Sequence, residues 1–434
     1  MTSLRPTADT TAPPSAPRAA RARACLPAAL LVAACAILPG LVLGADAPAA
    51  PPAAAPAAAP GAVQAVLLAA TGAAVRGVPR IAHGQVNVAG TSIPVEQVVA
   101  LSFERYAGSY LDQGVILNSG EILGGVVQSL QADKLTLASD HFGILVLPVS
   151  KVQALLLSAC PLASCARQSA GESAGAILIN GDQLAGTASF VNDLMIGINN
   201  GRRIVEIARS RVAQVRLASV PAAAGASAGA AAKAPPAVQH LRLVTGERID
   251  GRIDALDEQS CTIDTGWAQA VTVPAGLVLS LWSDGGALTP LSSVHPTLAK
   301  QIGQFDETAA LRLDRNQRLG FLTVSGVRAE RGLGCQPRCE LSYQLDGGLS
   351  SLVGEVGIDD LAGMTGAADF QVFVDGKLSF HAAAHGTQAV QLMVVPLAGA
   401  KLLQVVVDFG PAASLPGAAD ICWPVLVRGI APGR

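Results

Sequence analysis

Carboxylates are the side chains in this sequence best suited to acid–base chemistry. The 434 residues include 32 Asp and Glu, and glycoside hydrolysis needs two carboxyl groups across one bond, one of them held protonated. The acids are scattered, and Asp359-Asp360 is the most suggestive doublet. Adjacent residues of a strand point to opposite faces, so only one of the two can face a ligand. A hydrogen-bonded turn is the alternative role.

Other patterns for catalysis or metal binding are weak. The run Gly225–Gly229 fits a serine-hydrolase nucleophile turn, but it lies in an Ala/Gly tract with no strand before it. His381 and His385 are four apart, a spacing that aligns them on a helix and not in a strand. The cysteines lack the paired spacing of zinc knuckles. We therefore expect no enzyme activity, no metal site and no cofactor.

Two close cysteine pairs are candidates for disulfides if the chain reaches an oxidising compartment. They are Cys160 with Cys165 and Cys335 with Cys339. Because each loop is short, a bridge would fix local shape more than it stabilises the fold.

The charge and aromatic content exclude several partners. Charged residues make up 14% of the chain and the net charge is −2, so no basic stripe exists to bind a phosphate backbone, and nucleic acid is not an expected partner. Aromatic residues make up only 3%, which counts against an extended stacking platform for sugars or bases.

The N-terminus resembles an export signal. Arg18, Arg21 and Arg23 precede an apolar run, 26–45, that ends in small residues, which predicts a signal peptide. The run is also long enough to be an uncleaved membrane anchor, the one membrane contact we expect. A lipoprotein-type match, Val32–Cys35, would give a third topology. In each case the rest of the chain is exported to the periplasm, the cell envelope or the medium.

Low-complexity tracts suggest the domain boundaries, because Ala/Pro/Gly/Ser stretches bury little surface. The expected segments are 1–45 (signal or anchor), 46–62 (linker), 63–158 (two β repeats), 159–175 (linker), 176–217 (third repeat), 218–237 (linker), 238–285 (fourth repeat) and 286–430 (a β-sandwich).

The four repeats share a pair of glycines five positions apart, flanked by alternating apolar residues that indicate strands. The pairs are Gly72 with Gly77, Gly120 with Gly125, Gly181 with Gly186, and Gly246 with Gly251. Three copies also have an apolar-Pro step before the last strand, which marks a corner: Ile93-Pro94, Leu147-Pro148 and Val273-Pro274.

This repeat weakly resembles SH3-like or Sm-like small β-barrels; an irregular β-sandwich and a continuous β-solenoid remain as alternatives. Repeats that cannot bury both faces pack against neighbours, and we expect one pair on each side of the 159–175 linker.

The C-terminal third predicts an antiparallel sheet. Phe370, Val372 and Val374 alternate along a strand, and Asp375-Gly376 supplies the turn of a hairpin.

Six motifs in this third, in this order, resemble the NPCBM/NEW2 family over about residues 286–430. They are Gly332–Gly334, Leu341–Leu345, Val356–Asp360, Phe370–Gly376, Val405–Asp408 and Asp420–Trp423. The resemblance implies a galactose-binding-like β-sandwich that binds carbohydrate, of the kind often attached to glycoside hydrolases.

The resemblance also suggests a set of glycan-binding residues: Gln336, Arg338, Asp359, Asp360, Asp420 and Trp423. Gln336 stands where family members usually have His, and Pro424 follows Trp423 where the family commonly has another acid. Trp423 has apolar neighbours, so a role as a core residue is the alternative to a sugar platform.

The sequence therefore predicts an exported, non-catalytic, all-β protein that binds glycan or cell-envelope polysaccharide through its C-terminal module. The alternative is a structural or assembly protein whose sandwich has lost sugar binding and whose repeats associate through exposed strand edges.

Overall fold

The fold is taken from a computed structural model, which describes residues 64–105, 108, 110–161, 173–217, 236–268, 270–302, 310–386, 388–410, 415–416 and 418–430. The expected signal or anchor, the 46–62 linker, Gly225–Gly229 and Cys165 lie outside these residues. The described residues form β-strands joined by turns and short 3₁₀ segments. No helix among them has the length and apolarity that a bilayer crossing requires. The predicted all-β class is confirmed.

Repeats 1 and 2 each contain six strands, and a short extra strand follows each of them. Repeat 1 consists of β1 (Ala65–Ala69), β2 (Ala74–Gly77), β3 (Pro79–Ala82), β4 (Gln85–Val88), β5 (Thr91–Pro94) and β6 (Val98–Phe103), followed by β7 (Tyr110–Leu111). Repeat 2 consists of β8 (Gly114–Leu117), β9 (Ile122–Gly124), β10 (Val126–Gln131), β11 (Lys134–Ser139), β12 (Gly143–Pro148) and β13 (Val152–Leu156), followed by β14 (Cys160–Pro161).

Repeats 3 and 4 have the same order of strands, except that one long strand of repeat 4 replaces two. Repeat 3 consists of β15 (Gly175–Leu178), β16 (Gln183–Ala185), β17 (Thr187–Val191), β18 (Met195–Asn199), β19 (Ile204–Ala208) and β20 (Val212–Arg216). Repeat 4 consists of β21 (Val238–Leu243), β22 (Arg248–Leu256), β23 (Ser260–Thr265), β24 (Val271–Pro274) and β25 (Val278–Asp284).

A 3₁₀ turn precedes the closing strand of every repeat. The four turns are Val95–Gln97, Val149–Lys151, Arg209–Arg211 and Ala275–Leu277. The residue before the turn is Pro94, Pro148 or Pro274 in three repeats and Ala208 in repeat 3. The corner predicted from the apolar-Pro steps is therefore confirmed. The resemblance to SH3-like or Sm-like barrels is not confirmed by any comparison and stays a prediction.

Two different constraints explain the repeated glycines. Gly120 and Gly181 have φ of +90° in their turns, a conformation that residues with a Cβ rarely adopt. The second glycine of a pair meets a neighbouring strand: a Cβ on Gly251 would lie 2.3 Å from the carbonyl oxygen of Asp264. The five-residue spacing thus combines a turn with a close backbone approach.

The repeats pair in a nested order, repeat 1 with repeat 4 and repeat 2 with repeat 3. The closing strands β6 and β25 run antiparallel with Leu101 opposite Leu281, and β13 and β20 do the same with Leu155 opposite Val215. The inner strands β3 and β22, and β10 and β17, also pair. The expectation of one pair on each side of the 159–175 linker was wrong, because apolar alternation marks a strand without saying which strand covers its edge.

The C-terminal part is a sandwich of two sheets. Sheet I contains β26 (Leu288–Pro290), β28 (Arg312–Leu313), β31 (Gly332–Cys335), β33 (Ser351–Ile358), β36 (Gln391–Pro396) and β39 (Ala419–Val427). Sheet II contains β27 (Leu298–Gln301), β32 (Cys339–Gln344), β34 (Gly366–Val374), β35 (Lys377–His385), β37 (Leu402–Phe409) and β38 (Leu415–Pro416). A separate hairpin is formed by β29 (Leu322–Val324) and β30 (Val327–Ala329).

The predicted hairpin of the sandwich is confirmed. β34 and β35 pair antiparallel across a turn in which Asp375 has φ of +49° and Gly376 has φ of +80°. Phe370 and Val372 are buried in the core between the sheets, where Tyr343 also packs. The alternation along β34 therefore places one face against sheet I.

The outer face of sheet I packs on repeats 1 and 4, and this junction makes the repeats and the sandwich one compact unit. Trp423 of β39 is 2% exposed, and its ring centroid lies 5.7 Å from that of Trp282 in β25. Val99 of repeat 1 and Val353 of sheet I belong to the same apolar cluster. The two indole rings thus occupy the contact between the two parts.

Replacing Trp423 with Ala should lower the free energy of unfolding by about 3–5 kcal/mol, because it leaves a cavity between two packed faces. Chemical denaturation followed by circular dichroism measures this. Met364→Ala is the control, since Met364 is 86% exposed and its loss should change stability little. Equal stability of the two variants would contradict the role given to Trp423.

Burial of Glu355 should make stability depend on pH. Glu355 lies opposite Cys422 in sheet I, and burial raises the pKa of its carboxyl from 4.5 to about 7. The folded protein therefore holds a proton between these pH values that the unfolded chain releases. The contribution of this carboxyl to the free energy of unfolding should be complete below pH 4.5 and should fall by roughly 3 kcal/mol as the pH rises to about 7.

Glu355→Gln removes this titration, so its free energy of unfolding should fall less between pH 4.5 and 7.5 than that of the parent chain. Urea denaturation at a series of pH values measures the slope. Glu96→Gln, at an exposed position, should keep the parental slope. An unchanged slope in Glu355→Gln would show that this carboxyl is not the cause.

Candidate functional site

A polar cleft of about 390 Å³ opens at one end of the sandwich. Four segments form it: the loop after β28, the turn between β31 and β32, the turn after β33, and the residue before β39. Its walls are Asn316, Gln317, Arg318, Gln336, Asp359, Leu361, Ala362, Thr365, Gly366 and Ala418. This set includes two of the six predicted glycan-binding residues, Gln336 and Asp359.

Asn316 holds the loop after β28 in place. Its side-chain Nδ2 donates to the carbonyl oxygen of Phe321 at 2.9 Å and to Oδ2 of Asp359 at 3.1 Å. Its Oδ1 accepts the backbone N–H of Gly320 at 2.8 Å and that of Arg318 at 3.1 Å. This buried amide thus closes the loop and ties it to Asp359, the residue after β33. The closed loop places Arg318 at the cleft.

Asp359 and Asp420 form a buried carboxyl pair beneath the cleft. Asp359 caps the 3₁₀ turn Asp360–Ala362 by accepting the backbone N–H of Leu361 at 2.8 Å. Asp420 accepts the backbone N–H of Thr323 at 3.2 Å. Burial raises the pKa of Asp420 well above its ordinary value, and its hydrogen bond with Asp359 raises it further. The two carboxyl groups therefore lie close together, where burial favours the protonated form of Asp420.

This geometry does not fit glycoside hydrolysis. Glycosidases separate their two carboxyl groups by about 5–9.5 Å, so that the sugar or a water fits between them. Asp359 and Asp420 contact each other directly, and Asp420 is 0% exposed. In the described cleft the pair supports the backbone and holds no space for a scissile bond.

Asp360 has a different role from its neighbour. Its two carboxylate oxygens accept the backbone N–H groups of Ser325 and Gly326, each at 2.8 Å. These residues form the turn of the β29–β30 hairpin, so Asp360 anchors that hairpin to the sandwich. The doublet lies in a turn and not within a strand, so its alternative role, a hydrogen-bonded turn, agrees with these contacts; contact of either residue with a ligand stays a prediction.

Gln336 and Arg338 lie in the same turn but in different surroundings. Gln336 lines the cleft, and its backbone N–H donates to Oε1 of Gln301 at 2.7 Å. The side chain of Arg338 is 53% exposed and pairs with Glu340 at 2.7 Å and with Asp408 at 3.9 Å. Arg338 does not line the cleft, so the structure separates it from Gln336.

Trp423 is the sixth predicted residue, and the structure places it in the junction. Its ring is buried against Trp282 and offers no face to a sugar. The prediction that Trp423 binds glycan was therefore wrong, and the alternative prediction, a role as a core residue, agrees with its burial.

The cysteine and histidine predictions have simple structural settings. Cys335 and Cys339 are both 0% exposed thiols at the ends of β31 and β32. A hydrogen bond with Cys339, together with burial, raises the pKa of Cys335 well above its ordinary value; their disulfide stays a prediction. His381 pairs with Asp369 at 2.6 Å. No cluster suited to a metal ion occurs in the described part of the chain.

Several wall residues were missed from the sequence. Asn316, Gln317, Arg318 and Thr365 line the cleft but belong to none of the motifs used above. The available signal was the polar run Asp314–Arg318, which stands out in a chain with 14% charged residues. The cleft thus offers a guanidinium, a hydroxyl and the carboxamides of Gln317 and Gln336, which can form hydrogen bonds with sugar hydroxyls, whereas the amide of Asn316 is already occupied within its loop.

Residues 291–420 match the family model of the NPCBM/NEW2 domain. The resemblance stated for about 286–430 is confirmed over that range, and the carbohydrate-binding character of the module is supported. A search of curated proteins found no match.

Solved structures with some similarity include carbohydrate-binding modules. One is CBM51 from Clostridium perfringens GH95 in complex with methyl-galactose, 20% identical with a TM-score of 0.30, covering 32% of this chain and 99% of that chain. Another is CBM51-2 with INT domains of Clostridium perfringens ZmpB in complex with GlcNAc, 17% identical with a TM-score of 0.30. That match covers 42% of this chain and 43% of the other, less than half of its length.

Proposed function

We propose that this chain is an exported protein that binds a glycan or a cell-envelope polysaccharide in the cleft of its C-terminal sandwich, without catalysis. The family match over residues 291–420 supports a carbohydrate ligand. One observation carries the choice of site: Gln336 lies just after one motif of the family, Asp359 and Asp420 belong to two others, and the three residues lie at one end of the sandwich.

The cleft suits a sugar held by hydrogen bonds. Its volume of about 390 Å³ is within the range of small-ligand sites, roughly 300–1,000 Å³. Arg318 and Gln336 can donate to ring and hydroxyl oxygens, while Asp359 is already occupied by Asn316 and Leu361. Because no aromatic residue lines the cleft among the residues that the structure describes, we expect affinity to come from polar contacts and to be modest.

Arg318→Ala should weaken glycan binding about tenfold and Gln336→Ala about threefold, because each removes hydrogen bonds to the sugar, one of them charged. A glycan array with the full chain identifies the ligand. Titration calorimetry, begun with methyl-galactose and GlcNAc as single sugars, measures the affinities.

Arg338→Ala is the matched control, because Arg338 lies in the same turn as Gln336 but outside the cleft. It should bind like the parent chain. If Arg338→Ala loses binding while Arg318→Ala keeps it, the ligand sits on the other side of the turn. The absence of binding to every glycan tested would overturn the proposed function.

A second candidate function, assembly through strand edges, has its own support. β12 ends the six-stranded sheet of repeats 2 and 3, and Ile144 and Val146 on this edge strand are 70% and 58% exposed. An exposed apolar edge strand can pair with another chain. The repeats would then link copies, or serve as a spacer between the envelope and the sandwich.

Light scattering over a concentration series tests assembly. If the edge of β12 mediates it, the parent chain should form oligomers that Ile144→Lys or Val146→Lys disrupts. Leu194→Lys, at a 77% exposed turn position, should leave the oligomers intact. A parent chain that stays monomeric at all concentrations would exclude this function.

A further inference from the structure

A cavity of about 590 Å³ lies between repeats 2 and 4. Residues 110–113 and 124–126, together with the turns that follow β11 and β21, form its wall. The backbone N–H of Gly108 donates to the carbonyl oxygen of Val244 at 2.7 Å, which ties two parts of this wall together. The volume is within the range of small-ligand sites, roughly 300–1,000 Å³.

The wall of this cavity is rich in carboxylates. Asp112, Asp140 and Glu247 line it, and no Lys or Arg lines it among the residues that the structure describes. Within that part of the chain none of the three acids pairs with Lys or Arg. Of the described wall residues, only His141 can add a positive charge near neutral pH. The wall therefore has an excess of negative charge even when His141 is protonated.

Glu247 is a buried acid with one carboxylate oxygen left without a donor. It is 3% exposed, and its Oε2 accepts a hydrogen bond from the hydroxyl of Thr245. Its Oε1 accepts none from the described residues, since Nε2 of His141 is 3.7 Å away, beyond hydrogen-bond distance. A Cβ on Gly124 would lie 2.5 Å from Oε1, so the glycine leaves the space that this oxygen occupies. A buried carboxylate in this state is costly, and a cation beside it would offset the cost.

The arginines around the cavity do not cancel its charge. Arg209 touches the wall from outside through its Nη2, but the charge of Asp193 acts on it. Arg105 donates to two backbone carbonyl groups of repeat 4. Arg248 follows Glu247 in the chain and is paired with Asp250. The three acids of the wall and Asp193 therefore outnumber Arg105 and Arg209, four to two.

An exposed aromatic ring lies beside these acids. Tyr110 lines the cavity and is 61% exposed, in a chain with only 3% aromatic residues. Its backbone is held by the pairing of β7 with β14, where it lies opposite Pro161. The face of an aromatic ring attracts ammonium and guanidinium groups. Tyr110 thus adds a second kind of cation-binding surface to the carboxylates.

The acids surround a space and do not converge on one point. No group of acids, histidines and cysteines in the described part of the chain is arranged to hold a metal ion. A ligand that uses several of these carboxylates must therefore be larger than a single ion, with donor groups attached to a body that fills the cavity.

We infer that this cavity binds an organic ammonium group, carried by an amino sugar or by an aliphatic amine. Ionised carboxylates only accept hydrogen bonds, and a primary ammonium has three donors and no acceptor. Placed beside Oε1 of Glu247, the ammonium supplies the missing donor and a charge opposite to that of the buried carboxylate. Asp112, Asp140 and Tyr110 then contact the rest of the ligand nearer the solvent.

This site does not depend on the proposed function. None of the residues that line this cavity lines the cleft of Gln336. Arg318→Ala, which should weaken the cleft, should keep amine binding within about threefold of the parent. A chain whose sandwich binds no glycan can still bind an amine between its repeats, so the failure of either proposal can be told from the failure of the other.

Titration calorimetry of the full chain at constant ionic strength should show saturable binding of glucosamine or of 1,5-diaminopentane. Glu247→Gln keeps the shape of the side chain but removes its charge, so it should weaken amine binding at least about tenfold. It should leave the affinity for N-acetylglucosamine unchanged, because the acylated nitrogen of that sugar carries no charge. Tighter binding of glucosamine indicates an amino sugar, and tighter binding of 1,5-diaminopentane indicates an aliphatic amine.

Asp133→Asn is the matched control. Asp133 is an exposed acid in the turn between β10 and β11 of repeat 2 and does not line the cavity. Its variant loses one negative charge and should stay within about threefold of the parent. The melting temperature of each variant without ligand shows whether it is folded. If Glu247→Gln is unfolded, the double variant of Asp112→Asn and Asp140→Asn, both at exposed positions, takes its place with the same expected loss.

Four results would contradict the inference. They are no saturable binding of either amine to the parent chain, parental amine affinity in Glu247→Gln, an equal loss in Asp133→Asn, and a loss of N-acetylglucosamine binding in Glu247→Gln as large as the loss of glucosamine binding. The last result would make this a site for neutral sugars.

Discussion

The contact between Trp282 and Trp423 sets the arrangement of the described chain. Each indole belongs to a different part, one to the last strand of the repeats and one to the last strand of the sandwich. Their packing at 5.7 Å closes an apolar layer between sheet I and repeats 1 and 4. Since the outer face of sheet I is covered in this way, that face is closed to ligands, and the polar cleft lies at one end of the sandwich.

Polar groups fix the cleft where the apolar layers end. Asn316 ties the loop after β28 to Asp359, and Asp360 ties the β29–β30 hairpin to the same turn. Asp420 of β39 contacts Asp359. These contacts leave Arg318 and Gln336 as the side chains most available to a ligand. The motif residues Asp359, Asp360 and Asp420 therefore contribute mainly to the support of the site, and Arg318 and Gln336, which lie outside the motifs, present polar groups to it.

The sequence predicted which residues form strands better than it predicted which strands pair with each other. Alternation at Phe370 and Val372 and the Asp375-Gly376 turn were sufficient for the hairpin, because both depend on neighbouring residues. The nested pairing of β6 with β25 was missed, since it joins strands far apart in the chain and both have apolar edges. Trp423 was ambiguous because its covering residue, Trp282, lies outside the matched domain.

The same limit applies to the candidate site. Asp359 was found within a motif and Gln336 by its position just after one, whereas the place of Arg318 depends on a loop that Asn316 ties to Asp359. Arg338 was included because it lies two residues from Gln336, yet the turn directs it toward Glu340 and Asp408. Sequence distance within a turn does not tell which side of the sandwich a side chain faces.

The nested pairing of the repeats also determines an order in which the chain can become structured. Repeats 2 and 3 can complete their shared sheet as soon as both exist, because β13 and β20 are close in sequence. The edge of β6 in repeat 1 stays uncovered until β25 is made. In the chain, β25 comes after repeats 2 and 3 and the linker that follows them. Sheet I packs on the outer pair, repeats 1 and 4, so the sandwich is the last part to gain its covering face. A chain cut before residue 285 would therefore expose apolar strands, beginning with those of repeat 1.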